Sequence, residues 1–120
     1  MSEKKNILKD KSFAFAIRMV KLFQYLTESS KEFILSKQIL RSGTSVGALI
    51  REAQNAESSK DFIHKLGIAQ KECDETIYWI ELLRETGYLN NKEFESIYNE
   101  ANELLKMLKS AILTSKQNNS

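Results

Sequence analysis

The sequence predicts an all-α protein, an antiparallel up-down-up-down four-helix bundle. Three observations carry that reading. The 120-residue chain has no proline and only four glycines, Gly43, Gly47, Gly67 and Gly87, so little interrupts long helices. Apolar residues recur at spacings of three and four over four separate segments. Short polar stretches with helix-start signals separate those segments, and short connections favour antiparallel neighbours. A single domain of this size buries roughly two thirds of its unfolded surface, enough for a core without staples.

The elements follow in order. Residues 1–11 read as a polar lead-in, 12–115 as the bundle and 116–120 as a frayed tail. The first helix is expected from Ser12 to Glu28, with Phe13, Ala16, Ile17, Val20, Phe23 and Leu26 as its buried face. Ser29 and Glu32 have capping-box spacing and predict a second helix from about Ser30 to Ala56, with Ile39, Ser42, Val46, Leu49 and Ala53 facing inward. Ser58-Ser59 announces a third helix, with Asp61 in its first turn, where the helix dipole favours a negative charge. Its line of Phe62, Leu66, Ala69, Cys73, Ile77, Ile80 and Leu83 is the cleanest periodicity in the chain, and Gly87 suits a left-handed stop. Asn90 and Glu93 cap a fourth helix, Leu89 and Phe94 have the spacing of a hydrophobic staple, and Phe94, Ile97, Ala101, Leu104, Leu108 and Ile112 form its stripe. Helices of about 25 residues are roughly 37 Å long.

The second helix holds the least ordinary stretch. Ser42, Gly43, Thr44, Ser45 and Gly47 are poor helix formers, and each glycine costs roughly 1 kcal/mol relative to alanine. Gly43-x-x-x-Gly47 is the spacing that lets two helices approach closely. Ser42, Gly43, Ser45 and Gly47 are therefore expected to serve close helix packing. Charges near the apolar faces suggest inter-helix polar contacts: Arg41 and Glu52 on the second helix, Glu72 and Glu75 on the third. Arg41 is placed to reach Glu72 or Glu75 as a bidentate pair. Such a pair sets register more than stability, since desolvation offsets the attraction.

No catalytic constellation accompanies these residues. Asp61-x-x-His64 has one half of a di-metal motif without a second copy, and His64 is the single histidine, off the apolar line. Cys73, the single cysteine, lies on the buried stripe among acidic neighbours that disfavour a thiolate. Ser42, Thr44 and Ser45 lack a nucleophile-elbow context, and Gly43–Gly47 lacks the ending of a phosphate loop. No catalytic residue, metal site or cofactor is expected. No apolar run approaches the roughly 20 residues of a membrane span, and no signal-peptide core follows the N-terminus, so the expectation is a soluble cytoplasmic protein.

The net charge of +2 conceals an uneven distribution. Residues 1–51 carry ten basic and four acidic groups; residues 52–105 carry five basic and twelve acidic. Two faces of opposite sign attract a nucleic acid on one side, or each other between copies. Tyr78 and Trp79 follow Ile77, so at least one ring leaves the core line and suits a protein interface. Lys4, Lys5, Lys9 and Lys11 form a basic arm.

Gln38-Ile-Leu-Arg-Ser-Gly-Thr-Ser-Val46, Glu52-Ala53, Lys60-Asp-Phe-Ile-His-Lys-Leu-Gly-Ile-Ala69 and Glu75 together resemble the four helix bundle protein family. Its members are often encoded in intervening sequences of bacterial large-subunit ribosomal RNA genes. The resemblance spans about Phe13 to Leu113. It implies a bundle assembling as a ring, a homopentamer, with no known enzyme activity or cofactor. A similar bundle, strongly basic and pentameric, binds nucleic acid and a reverse transcriptase in diversity-generating retroelements. This chain departs from the commoner pattern: Leu49 replaces an Asn, Arg51 an Ala, Ala53 a Gly, and Glu72 stands where Ser is frequent. Two functions follow as expectations: a ring-forming protein that recruits RNA, DNA or a protein partner, or a purely structural interaction module.

Overall fold

The structure, a computed structural model, describes the backbone of residues 3–118 and the side chains from Ile7 onward. It is four helices: α1 (Glu3–Glu28), α2 (Leu35–Gln54), α3 (Ser59–Glu85) and α4 (Asn91–Asn118). The first helix thus begins at Glu3, well before the expected Ser12, and the last continues to Asn118 through the segment expected to fray. Nothing in 3–11 breaks a helix, and polar composition alone does not end one when propensity persists. Lys4 and Lys5 of the basic arm have side chains outside the described ones.

Cross-helix contacts fix the direction of every neighbour. Met19 lies against Gly43 while Ser12 lies against Gly47. Ser42 bonds Thr76 while Glu52 reaches Lys65. Cys73 meets Ala101 and Arg84 covers Phe94. Arg18 pairs with Glu100 and Lys11 with Glu103. In each case one residue number rises as the other falls, so the bundle runs up-down-up-down in the cyclic order α1, α2, α3, α4. The α1–α4 seam is the loosest of the four. The molecule measures 48 × 22 × 21 Å.

The ends of α3 and α4 follow local chemistry. The Ser58 hydroxyl accepts the Asp61 N–H at 3.0 Å and opens α3. Gly87, at φ +87°, closes it: the Gly87 N–H bonds the Arg84 carbonyl and the Tyr88 N–H the Leu83 carbonyl, the two bonds of a Schellman motif. Asn90 and Glu93 cap α4 reciprocally, at 2.8 and 3.0 Å. Leu89 and Phe94 are both buried beside that cap.

The α1–α2 corner differs from the expected capping box. Ser29 ends α1 and caps nothing in α2. Instead, Lys31 turns the chain at φ 55° and places Glu32 under α2. The Glu32 carboxylate then accepts three backbone N–H groups, from Ile34, Leu35 and Ser36, at 3.2, 3.0 and 2.7 Å. Glu32 is buried. Burial alone raises the pKa of such a carboxyl, but the N–H groups together outweigh it and leave the group below the usual carboxylate range. One side chain therefore does what a Ser and a Glu share in a capping box, and α2 starts at Leu35, later than Ser30.

The core contains the expected α3 and α4 lines nearly complete. Phe62 and Ile112 are half-buried, while Thr76 and Leu105 join the interior. On α2, Ile50 takes the inward place expected of Leu49. The large correction is α1. Phe13, Ile17 and Val20 are exposed at 54, 44 and 40%, and the buried line is Phe15, Met19, Leu22 and Leu26. The steric reason lies on α2. A Cβ at Gly43 would come within 2.4 Å of Met19 Cγ, and one at Gly47 within 3.2 Å of the Ser12 carbonyl oxygen. The space that the glycines leave admits Met19 and the α1 backbone at Ser12, and this sets the rotation of α1.

Candidate functional site

The residues singled out on α2 divide into two groups. Ser42, Gly43 and Gly47 lie along the helix seams. Ser42 is buried between α2 and α3, its hydroxyl 2.8 Å from that of Thr76, which donates in turn to the Glu72 carbonyl. Gly43 and Gly47 meet α1. Ser45 is outside this set: it is half-buried and its hydroxyl turns back to the Arg41 carbonyl of its own helix at 2.6 Å, a local bond available to any mid-helix serine.

The charged residues meet at the α2–α3 seam. Arg41 spans Glu72 at 3.0 Å and Glu75 at 2.5 Å. The Trp79 indole N–H donates to the same Glu75 oxygen at 3.0 Å. These two bonds, Trp79 first, hold the Glu75 carboxyl below its usual range, and Glu75 raises the Arg41 guanidinium in return. Half of the Arg41 side chain is exposed. Glu52 pairs with Lys65 across the same seam at 3.2 Å, not with Arg41. The Tyr78 ring, exposed, stands edge-on to Trp79 at 5.0 Å. The cluster ties α2 to α3 with complementary charges, and both shifts favour the charged forms of Arg41 and Glu75.

The other candidate reactive groups are placed for structure. Cys73 is fully buried with its Sγ 3.4 Å from the Ala101 carbonyl, and burial, with Asp74 adding, pushes its thiol up to about 12. It is a small core side chain and not a nucleophile at neutral pH. His64 is exposed on α3. Among the described residues no group of three His, Cys, Asp or Glu converges as metal ligands, and no helix is long and apolar enough to cross a membrane. An open cleft of about 1080 Å³ lies where the start of α1 and end of α4 meet the α2–α3 turn, with Phe62, Leu66, Met107 and Ala111 in its walls. Among the described residues Lys106 is the only charged one in its lining.

Three features escaped sequence reasoning. The first is Glu32, hidden by its reading as half of a capping box. The second is the α1–α4 seam, where Arg18 joins Glu100 at 2.6 Å and Ser96 at 2.7 Å, and Lys11 joins Glu103 at 2.8 Å. The third is the outward line of α1, Phe13, Ile17 and Val20, with the Arg51 guanidinium 5.7 Å from the Phe13 ring centre. A signal for the third existed: α1 carries more apolar positions than one buried face uses.

The architecture therefore defines a helical bundle whose distinctive residues tie helices to one another and whose most unusual surface is an apolar line. Comparison places it more narrowly. The sequence profile of the 23S rRNA-intervening sequence protein family matches residues 4–110. The chain belongs to that family. A crystal structure of a protein of unknown function from the S23 ribosomal protein family of Bacteroides thetaiotaomicron VPI-5482 is 55% identical and superposes with a TM-score of 0.90, covering 91% of this chain and 97% of the other. No curated protein matches the chain.

Proposed function

We propose that this protein is a non-enzymatic assembly module of the bacterial cytoplasm, in which copies associate through the outward face of α1 into a ring. The observation that carries the reading is the two-sided apolar character of α1. A helix apolar on one side covers a core; a helix apolar on both sides is stable in water only when the second side is covered as well. Phe13, Ile17 and Val20 stand at spacings of four and three, the pattern of a helix that packs against another. The family resemblance supports a closed ring of five.

Solution mass tests this reading. Light scattering is expected to give a multiple of 13.8 kDa for the wild type, and Ile17→Glu is expected to shift the mass toward the monomer with helix content unchanged. A wild type that stays monomeric across concentration would refute it.

A second reading, that the assembly holds RNA or DNA or a protein that processes it, is supported by the cations of α1 and α2. Lys9, Lys21, Lys31 and Lys37 have no ion-pair partner among the described residues, in the half of the chain with excess positive charge. Binding to phosphates falls steeply with salt. A gel shift with ribosomal RNA fragments at low salt that disappears on raising salt is the expected result, and no shift at low salt would leave the purely structural module.

A further inference from the structure

The open cleft at the end of the bundle reaches the core and has a graded wall. Ile50, Ala53 and Leu66, each 1% exposed, form its floor. Ile7 and Leu8 of α1 and Phe62 of α3 stand around that floor, beside the α1–α4 seam, the loosest of the four. On α4, half-buried Met107 and Ala111 make an apolar line. Lys106, Ser110 and Thr114, all exposed and spaced by four, make a polar line next to it. Lys106 makes no ion pair among the described residues. Glu103, one turn earlier, is committed to Lys11 at 2.8 Å. Asp61, in the first turn of α3, accepts the Glu57 N–H at 3.2 Å and is not in the lining.

We propose that this cleft binds a long-chain carboxylate, its hydrocarbon chain on the apolar floor and its head at Lys106 and the Ser110 hydroxyl. Each part of such a ligand answers to a part of the site. Apolar walls in contact with water favour an apolar occupant in proportion to the area it removes from water. One unpaired cation at the rim, with hydroxyls beside it and no carboxylate among the described lining residues, favours a single anionic head. Size agrees as well: about 1080 Å³ lies at the top of the range for ligand clefts, roughly 300–1,000 Å³, and gives room for a whole chain. Phe13, Ile17 and Val20 are outside the lining, so the site does not depend on the self-association reading.

Calorimetric titration of the full chain with dodecanoate, below its micelle concentration, tests the site. Saturable binding is expected. Decanoate is expected to bind about tenfold more weakly, because each buried methylene contributes a factor of roughly four. Dodecyltrimethylammonium, with the opposite head charge, is expected to bind at least about tenfold more weakly than dodecanoate. Lys106→Gln is expected to weaken dodecanoate by about tenfold with helix content unchanged, since Lys106 is exposed and unpaired. Lys109→Gln, at an exposed position outside the lining, is expected to change nothing. No binding of dodecanoate, equal affinity for the two head groups, or equal effects of the two lysine substitutions would each overturn the proposal. So would binding seen only in Ile17→Glu protein, because a second copy would then cover the cleft in the assembly.

Discussion

The two sides of α1 have similar composition and opposite surroundings. Inward, Phe15, Met19, Leu22 and Leu26 are buried; outward, Phe13, Ile17 and Val20 are 40–54% exposed. Both lines obey helical spacing, so periodicity cannot rank them. The α2 surface ranks them, because a Cβ at Gly43 would stand 2.4 Å from Met19 Cγ and one at Gly47 a tight 3.2 Å from the Ser12 carbonyl oxygen. Small residues on one helix can thus decide the rotation of its neighbour. The apolar line left outside is then surplus to the fold and available for association.

Truncation sharpens the comparison most. Phe15→Ala is expected to cost about 3–5 kcal/mol, the range for a phenylalanine lost from a close-packed core. Phe13→Ala is expected to move protomer stability by no more than about 0.5 kcal/mol, as for a surface site, while weakening self-association. Urea unfolding of dilute protein measures the first quantity and light scattering the second. Equal losses of stability at the two positions would abolish the distinction between the two sides.

The next largest effect addresses what sets the rotation. Gly43→Ala places a Cβ 2.4 Å from Met19 Cγ, and Met19 is fully buried, so a core side chain must shift to admit it. Overpacking of this kind costs about 1–3 kcal/mol, against a gain of roughly 1 kcal/mol in helix propensity, so net destabilisation is expected. Gly67→Ala carries the gain without the clash and is expected to stabilise the dilute protomer by up to about 1 kcal/mol. The sign difference between two Gly→Ala changes in one protein, read by thermal melting, isolates the contact with α1 from backbone effects common to both.

These contrasts also show what the sequence makes legible. On α3 and α4 a single apolar line exists, its ends carry unambiguous chemistry in Ser58, Gly87 and Asn90 with Glu93, and the expected elements match the structure nearly residue by residue. On α1 two lines compete, and the arbiter is a neighbour's shape, which spacing within one helix does not contain. The α1–α2 corner fails for a related reason: Ser29 and Glu32 fit a capping box by spacing, yet Lys31 in a left-handed conformation lets Glu32 cap alone. The Arg41 contacts with Glu72 and Glu75 were legible because the rotations of α2 and α3 were; Arg18 with Glu100 was not, because that of α1 was not.

Acid sensitivity tests the corner from which α2 leaves α1. Glu32 has its carboxyl lowered in the fold, so it adds stability above the ordinary carboxylate pKa, and this is lost as pH falls through the lower folded value. Glu32→Gln retains one acceptor oxygen but no charge for three N–H groups, and is expected to cost about 1–3 kcal/mol at pH 7. The gap between the two proteins is expected to narrow as pH drops below about 4, near the unfolded glutamate pKa. A constant gap across that range, in parallel urea titrations, would mean that the carboxylate charge is not what caps α2.

The smallest effect belongs to the third side of α1, where Arg18 meets Glu100 and Ser96 on α4. The Arg18 side chain is 37% exposed and Glu100 28%, so water screens the pair, and a coupling of only about 0.2–1 kcal/mol is expected from a double-mutant cycle. Its salt response separates it from the outward line. Raising salt weakens a screened ion pair, whereas sulfate strengthens apolar contacts by exclusion from the surface. In ammonium sulfate, the Arg18–Glu100 coupling is therefore expected to fall while association through Ile17 persists. Association that falls in step with the coupling would make charge, and not the apolar line, the force holding copies together.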